Sequence, residues 1–292
     1  MSVIAAEPAL VAAKPRGAPL RRFARRNPTI VAGGFILALI TLLALLAPLF
    51  AGDAITMQPA LRLRPPSQAN WFGTDHLGRD VFARTVYGAR VSLLVGISVA
   101  TMSITCGLFI GLMSGYFRKV DAVVMRLMDG LMAIPAILLA IALVALTRAS
   151  VSTVIVAITI PEIPRVVRLV RAVVLSVREA PYVEAAIAGG TPVWKILARH
   201  ILPNTIAPLI VQATYICASA ILIEAALSFL GAGTPPEIPT WGNMIAQSRL
   251  FLSRAPWTIF CPGIALALVV LAVNLLGDGL RDRLDPRLAR RM

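Results

Sequence analysis

Six stretches of about twenty or more mostly apolar residues punctuate this chain, running approximately over 30–50, 91–115, 122–146, 151–173, 205–230 and 257–277. A helix needs roughly 20 such residues to cross about 30 Å of hydrocarbon, where each backbone group must find its partner within the segment. Each stretch is therefore expected to span a membrane. The composition agrees, since 292 residues that are 58% hydrophobic and 14% charged do not suit a water-soluble domain. The expected fold class is all-α: a polytopic membrane protein of about six transmembrane helices. The second stretch carries several Ser, Thr and Gly residues and the fourth contains Pro161-Glu162-Ile163-Pro164, which makes these the least regular spans.

An even number of spans puts both termini on one side, and the basic residues say which. Most of the 28 lysines and arginines fall in the amino arm (Lys14, Arg16, Arg21, Arg22, Arg25, Arg26), the 116–129 turn, the 162–204 segment and the tail (Arg281, Arg283, Arg287, Arg290, Arg291). By the positive-inside rule these segments and both termini are cytoplasmic. The net charge of +14 is then accounted for by topology and anionic lipid, without a nucleic-acid partner. Arg-Arg-Phe-Ala-Arg-Arg before the first span resembles the start of a secretory signal, but the apolar run behind it is longer than a signal core and is expected to be retained.

The chain lacks the parts for chemistry of its own. Its two histidines, His76 and His200, fall on opposite sides of this topology, so no metal-ligand set or histidine-based triad forms. Cys106, Cys217 and Cys261 lie in or at the edge of spans and form no disulfide framework. A phosphate-cradling loop needs Gly-Lys-Ser/Thr. The three lysines, Lys14, Lys119 and Lys195, follow Ala13, Arg118 and Trp194, so any work with ATP belongs to a partner.

Transport remains. Ion-coupled carriers hold several ionisable groups along their path through the membrane. Here Glu224 is the clearest, joined by Glu162, Arg126 and Asp129 near span ends. Glu224 is read either as a structural group, snorkelling outward or bonded to a neighbouring helix, or as a proton or substrate contact. Ser103, Gly107, Gly111 and Gly115 recur every fourth residue and form one small-residue face, which fits close packing inside the bundle or against a second subunit.

Residues 184–204, Glu-Ala-Ala-Ile-Ala-Gly-Gly-Thr-Pro-Val-Trp-Lys-Ile-Leu-Ala-Arg-His-Ile-Leu-Pro-Asn, sit between two spans and are neither apolar nor an ordinary loop. Pro181 suits a first helical turn, Glu184 suits the positive end of the helix dipole, and Gly189-Gly190 supplies a stop. Thr191 is then expected to cap a second helix whose first position is Pro192 and which runs from Val193 to Leu202, ending at Pro203. Two short helices joined by a glycine elbow are not stable alone in water and must lie against something.

Glu184-Ala185-Ala186, Gly190 and Ile201-Leu202-Pro203 resemble the EAA loop of inner-membrane permeases in binding-protein-dependent ATP-cassette importers. The similarity extends to 71–96, 227–247, 255–257 and 274–288, which resemble the second permease of the dipeptide, oligopeptide and nickel group. Gly189, where a larger apolar residue is common, and Pro-Glu-Ile-Pro-Arg at 161–165 depart from that pattern.

The resemblance implies a MetI-like permease fold in the bacterial inner membrane, with uptake by alternating access. It implies a heterodimer with a homologous permease, two ATPase subunits that bind ATP and magnesium, and an extracytoplasmic solute-binding protein; this chain would hold no cofactor. It divides the chain into a basic cytoplasmic arm (1–29), a first span with an extracytoplasmic segment (30–85) and a permease core (86–292) whose coupling loop covers about 174–204. Trp71, Trp241 and Trp257 fall on the outer side, as rim anchors or binding-protein contacts. A stand-alone ion-driven carrier is the alternative, and a scaffold that transports nothing a further one.

Overall fold

The computed structural model describes residues 27–284 together with Ala24. The basic residues of the arm, Lys14 to Arg26, and the tail residues Arg287, Arg290 and Arg291 lie outside the described residues. The described chain is helical, with no β-strand and one isolated bridge between Thr74 and Asp80. Its helices are α1 (Pro28–Phe50), α2 (Val81–Tyr116), α3 (Arg118–Ala133), α4 (Ala136–Ala145), α5 (Val151–Arg178), α6 (Pro181–Ala188), α7 (Val193–Ile196), α8 (Leu202–Phe229), α9 (Trp241–Ser248) and α10 (Trp257–Leu284).

By length and composition, four helices can cross a membrane: α1, α2, the continuous run Val193–Phe229 and α10. The pair α3–α4 makes a fifth if counted as one crossing. The expected third span, 122–146, is thus not a single rod; it bends by 87°. Pro135 offers no N–H and pushes Ile134 into extended backbone (φ −93°, ψ 127°), which ends α3. The expected fourth span is the 28-residue α5. It carries Glu162, Arg165, Arg168 and Arg171, too many charges for a lipid-facing segment.

α5 is central instead of peripheral. Val154, Ala157, Ile158, Pro161, Glu162, Pro164, Val166, Val167, Val170 and Val174 are buried along it, in contact with α2, α4 and α8. The small-residue face of α2 makes this possible. A Cβ on Gly111 would come 2.7 Å from Val170 Cβ, one on Gly115 would come 2.6 Å from Val174 Cβ, and Gly107 abuts Val166 in the same way. Gly107, Gly111, Gly115 and the buried Ser103 therefore face into this chain's own bundle. The three glycines let α2 and α5 approach until valine side chains rest on glycine backbone.

α1 lies to one side, seated on α10. Gly33 meets Ala272 and Leu276, and Gly279 meets Thr29 and Ile30. At the end of the bundle where α1 stops and α2 starts, residues 51–80 fold into a cap. Gln58 N donates to Leu77 O (3.0 Å), Leu63 N to Asp75 O (3.0 Å) and Thr74 N to Arg64 O (3.0 Å). Asp80 closes the cap by accepting from Phe82 N at the start of α2.

The cap is clasped to a distant part of the sequence. Asp75 accepts from Arg79 Nε (2.7 Å), Arg79 Nη2 donates to Gln247 Oε1 (2.8 Å), and Trp257 Nε1 donates to Thr74 O (3.3 Å). His76 stacks on Phe251 with ring centroids 5.4 Å apart. Burial holds the imidazole below its ordinary value of 6.5; Asp75 opposes this, and the nearby Arg79, Arg84 and Arg62 add to it.

Two expectations follow. Gly111→Ala should cost about 1–3 kcal/mol through overpacking, whereas Gly130→Ala in α3, where a Cβ meets open space, should hold or raise stability; melting temperatures of the purified protein check both. The unfolded chain binds a proton at His76 more readily than the folded cap, so the cap's stability is complete above the ordinary imidazole range and falls as pH drops below about 6.5. From pH 7.5 to 5.0 hydrogen exchange over residues 58–79 should slow less than the intrinsic rate does, so that protection falls, and His76→Phe should remove that loss of protection.

Candidate coupling loop and polar sites

Arg178 fixes where the loop leaves the bundle. At the end of α5 its Nη1 donates to Tyr116 O (3.0 Å) and its guanidinium lies over the Tyr116 ring, 5.3 Å from the centroid. α6 then starts at Pro181, whose missing N–H costs nothing in a first turn. Val183 packs into the main core with Val174, Ile196, Leu197 and Ile201. Tyr182, Glu184, Ala185 and Ile187 are exposed, as is Trp194 at 65%. The loop therefore has one face sunk in the bundle and an outer face of aromatic, aliphatic and small residues with one carboxylate.

The elbow is a Schellman stop. Gly190 has φ +74°, its N–H donates to Ile187 O (3.0 Å), and Thr191 N donates to Ala186 O (3.1 Å). A Cβ at Gly190 would meet no atom within 4 Å, so only the positive φ demands glycine.

Beyond the elbow the structure departs from the sequence expectation. Thr191 makes no cap; Pro192 occupies the N-cap position with extended backbone, and α7 starts at Val193. The second helix does not end at Leu202 either. It widens into one π-helical stretch, Leu197–Ile201, and continues directly as α8. Pro203 cannot donate to Arg199 O, and a wider turn accommodates the lost bond without breaking the rod. Asn204 Nδ2 donates to His200 O (2.6 Å) across the same place. Ile201 is fully buried, while Leu202 and Pro203 lie at the junction.

Glu224, near the far end of α8, is fully buried and so does not snorkel. Ser228 Oγ donates to its Oε1 (2.8 Å). Gly242 at the start of α9 packs onto Ala225 and Ser228 beside it, so the carboxyl sits where α8 meets the loop leading into α9. Of the three tryptophans read as outer rim, Trp71 is 65% exposed, but Trp241 is completely buried with Nε1 donating to Thr85 O (2.9 Å). Trp257 is half-buried under the cap.

Sequence reasoning missed a ladder of ion pairs. Arg171 Nε and Nη2 donate to the two Asp121 oxygens (2.5 and 2.7 Å), and Arg168 Nη2 donates to Asp129 Oδ1 (2.6 Å), both joining α5 to α3. Arg165 Nη1 donates to the buried Glu162 (3.1 Å to Oε1) within α5 itself. The signal was present as Arg165, Arg168 and Arg171 at three-residue steps.

Residues 103–290 match the family described as the binding-protein-dependent transport system inner membrane component, and residues 20–66 match the N-terminal TM domain of oligopeptide transport permease C. The first match covers more than half of the chain, and the chain belongs to that family: it is a permease subunit of a binding-protein-dependent importer and an integral membrane protein. It is 59% identical over 270 residues to a probable peptide ABC transporter permease of Sinorhizobium fredii, covering 92% of this chain and 93% of the relative. It is 45% identical to the dipeptide transport system permease of Alkalihalophilus pseudofirmus (90% and 88%) and 42% identical to the glutathione transport system permease of Pectobacterium atrosepticum (92% and 90%). The fold is that of the methionine ABC transporter MetNI, solved in inward-facing conformations, at TM-score 0.55 and 20% identity over 69% of this chain and 96% of that one.

Proposed function

We propose that this permease forms, with a homologous second permease, the translocation path for short peptides delivered by an extracytoplasmic binding protein. Two ATPase subunits on the cytoplasmic side bind ATP and magnesium and supply the driving force. The observation that carries this reading is the outward face of the coupling loop, Tyr182, Glu184, Ala185, Ile187 and Trp194, mounted on a bundle that holds no nucleotide site among its described residues. Relatives named for peptide transport support this solute class. The location is the bacterial inner membrane, both termini cytoplasmic, which the basic residues support.

The test is reconstitution of the permease pair with its ATPases in proteoliposomes. Uptake of a dipeptide should require both ATP and loaded binding protein. Uptake driven by a proton gradient without ATPase would establish the ion-driven carrier instead.

Ala185 and Ala186 allow a partner close approach, and Glu184 offers it one polar contact. Ile201, Leu202 and Pro203 carry the loop into α8. Gly190→Val should strain the elbow's positive φ, and Glu184→Lys should add a positive charge to a segment that already carries Arg178, Lys195 and Arg199. Both should insert and pair with the second permease yet lose most ATPase association, measured by co-purification, or most stimulation of ATP hydrolysis by loaded binding protein. Parental rates in both would show the loop to be a surface cap.

Orientation has its own check. In a background with the native cysteines replaced, a cysteine at Gln68 should react with an impermeant thiol reagent in intact cells, and one at Lys195 should not. Labelling at Lys195 would reverse the topology.

A further inference from the structure

α5 is 28 residues long, about 42 Å, and Arg165 stands at its middle. The Arg165 side chain is 52% exposed, while its partner Glu162 is 1% exposed. Arg168 and Arg171, further along the same helix, are each neutralised from outside by α3 through Asp129 and Asp121. Arg165 differs from both. Its ion-pair partner among the described residues is on its own helix and buried behind it, so the carboxylate anchors one nitrogen and leaves the outer edge of the guanidinium uncovered.

A guanidinium midway along a helix packed at the centre of a membrane protein's bundle does not rest against hydrocarbon. The surface it presents borders water or a polar group. We propose that Arg165, held by Glu162, is a specificity-determining residue of the translocation path, pairing transiently with a carboxylate of the passing solute. This rests on the importer reading above and adds a chemical requirement to it: the solute carries a carboxylate.

The geometry suits passage more than storage. A guanidinium fork matches a carboxylate bidentately and has donors to spare when one nitrogen is already engaged. An isolated cation in a poorly solvated path would hold an anion too long. With Glu162 at 3.1 and 3.3 Å behind it, the pair is neutral, so the solute meets donors without meeting a full uncompensated charge. Conduction needs a contact favourable enough to enter and weak enough to leave.

The experiment uses the whole complex in proteoliposomes with its binding protein, comparing a free dipeptide with the same dipeptide amidated at its carboxyl end. Arg165→Gln should lower uptake of the free acid about tenfold or more relative to the parental complex, while changing uptake of the amide less than about twofold. Arg165→Lys should restore a substantial part of the free-acid rate. Equal losses for acid and amide, or unchanged uptake of both, would overturn the proposal. So would loss of the second permease on purification, which would make Arg165 a subunit contact.

If Arg165→Gln fails to assemble, Arg165→Cys in a background without the native cysteines is modified after assembly. A cationic thiosulfonate should raise free-acid uptake several-fold and a neutral one of similar size should not; equal effects would overturn the proposal. A parental complex that takes up neither peptide with ATP would sink the importer reading of peptides itself, before any variant is compared.

Discussion

Three glycines on α2 lying against three valines on α5 set the geometry of the bundle. Gly107, Gly111 and Gly115 lack the atom that would otherwise separate the helices, and Val166, Val170 and Val174 occupy that space. In lipid no hydrophobic force drives helices together, so such close packing is a principal source of association energy. Its consequence is that α5 is enclosed along much of its length. An enclosed helix can hold Pro161, Pro164 and Glu162, all buried, where a lipid-facing helix could not. The arginines that follow then find Asp121 and Asp129 on α3 instead of hydrocarbon, and the α3 limb is fastened obliquely across α5. Eight residues separate the two acids on α3 but only three separate their partners on α5.

The second organising contact joins parts of the chain far apart in sequence. Arg79 bridges Asp75 to Gln247, and Trp257 reaches back to Thr74, so the cap after α1 and the segment around α9 form one unit. Trp241 is part of this: Gly88 leaves room for its ring, and its indole N–H is satisfied by the Thr85 carbonyl. The tryptophan is a core residue with a polar partner, which is what a fully buried indole requires.

These contacts mark the limit of what sequence carries. Local rules transfer well. Pro181 opens a helix, Gly190 takes the positive φ that a Schellman stop needs, and the four-residue spacing of Gly107, Gly111 and Gly115 announces a close approach. Which helix comes close is not local information, nor is the burial of Trp241, because Gly88 stands far away in the chain. Proline shows the same boundary. Pro48, Pro161, Pro164, Pro208 and Pro262 all lie inside continuous helices, whereas at Pro135 the chain bends by 87° between α3 and α4. The buried Pro161 and Pro164 have neighbours on several sides, but Pro48 is exposed like Pro135 and still lies inside α1, so exposure alone does not decide where a helix breaks.

Continuity from the loop into α8 has the widest mechanical consequence. The run Val193–Phe229 is 37 residues, about 55 Å if straight, with a wide turn at Leu197–Ile201 and Pro208 as its irregularities. Two loosely hinged surface helices would dissipate a displacement of the loop. A rod carries it the whole way, because bending the rod means breaking successive backbone bonds where no water can replace them. At its far end Glu224 and Ser228 are bonded to each other, and the chain passes from there to Thr240, which caps α9 by accepting from Asn243 N. A continuous path of backbone and side-chain bonds thus runs from Trp194 along α8 to Thr240 and α9, and through Gln247 and Arg79 to the cap. One helix thus joins the loop to the opposite end of the bundle, with the π-helical stretch and Pro208 as the places where its regular bonding is interrupted.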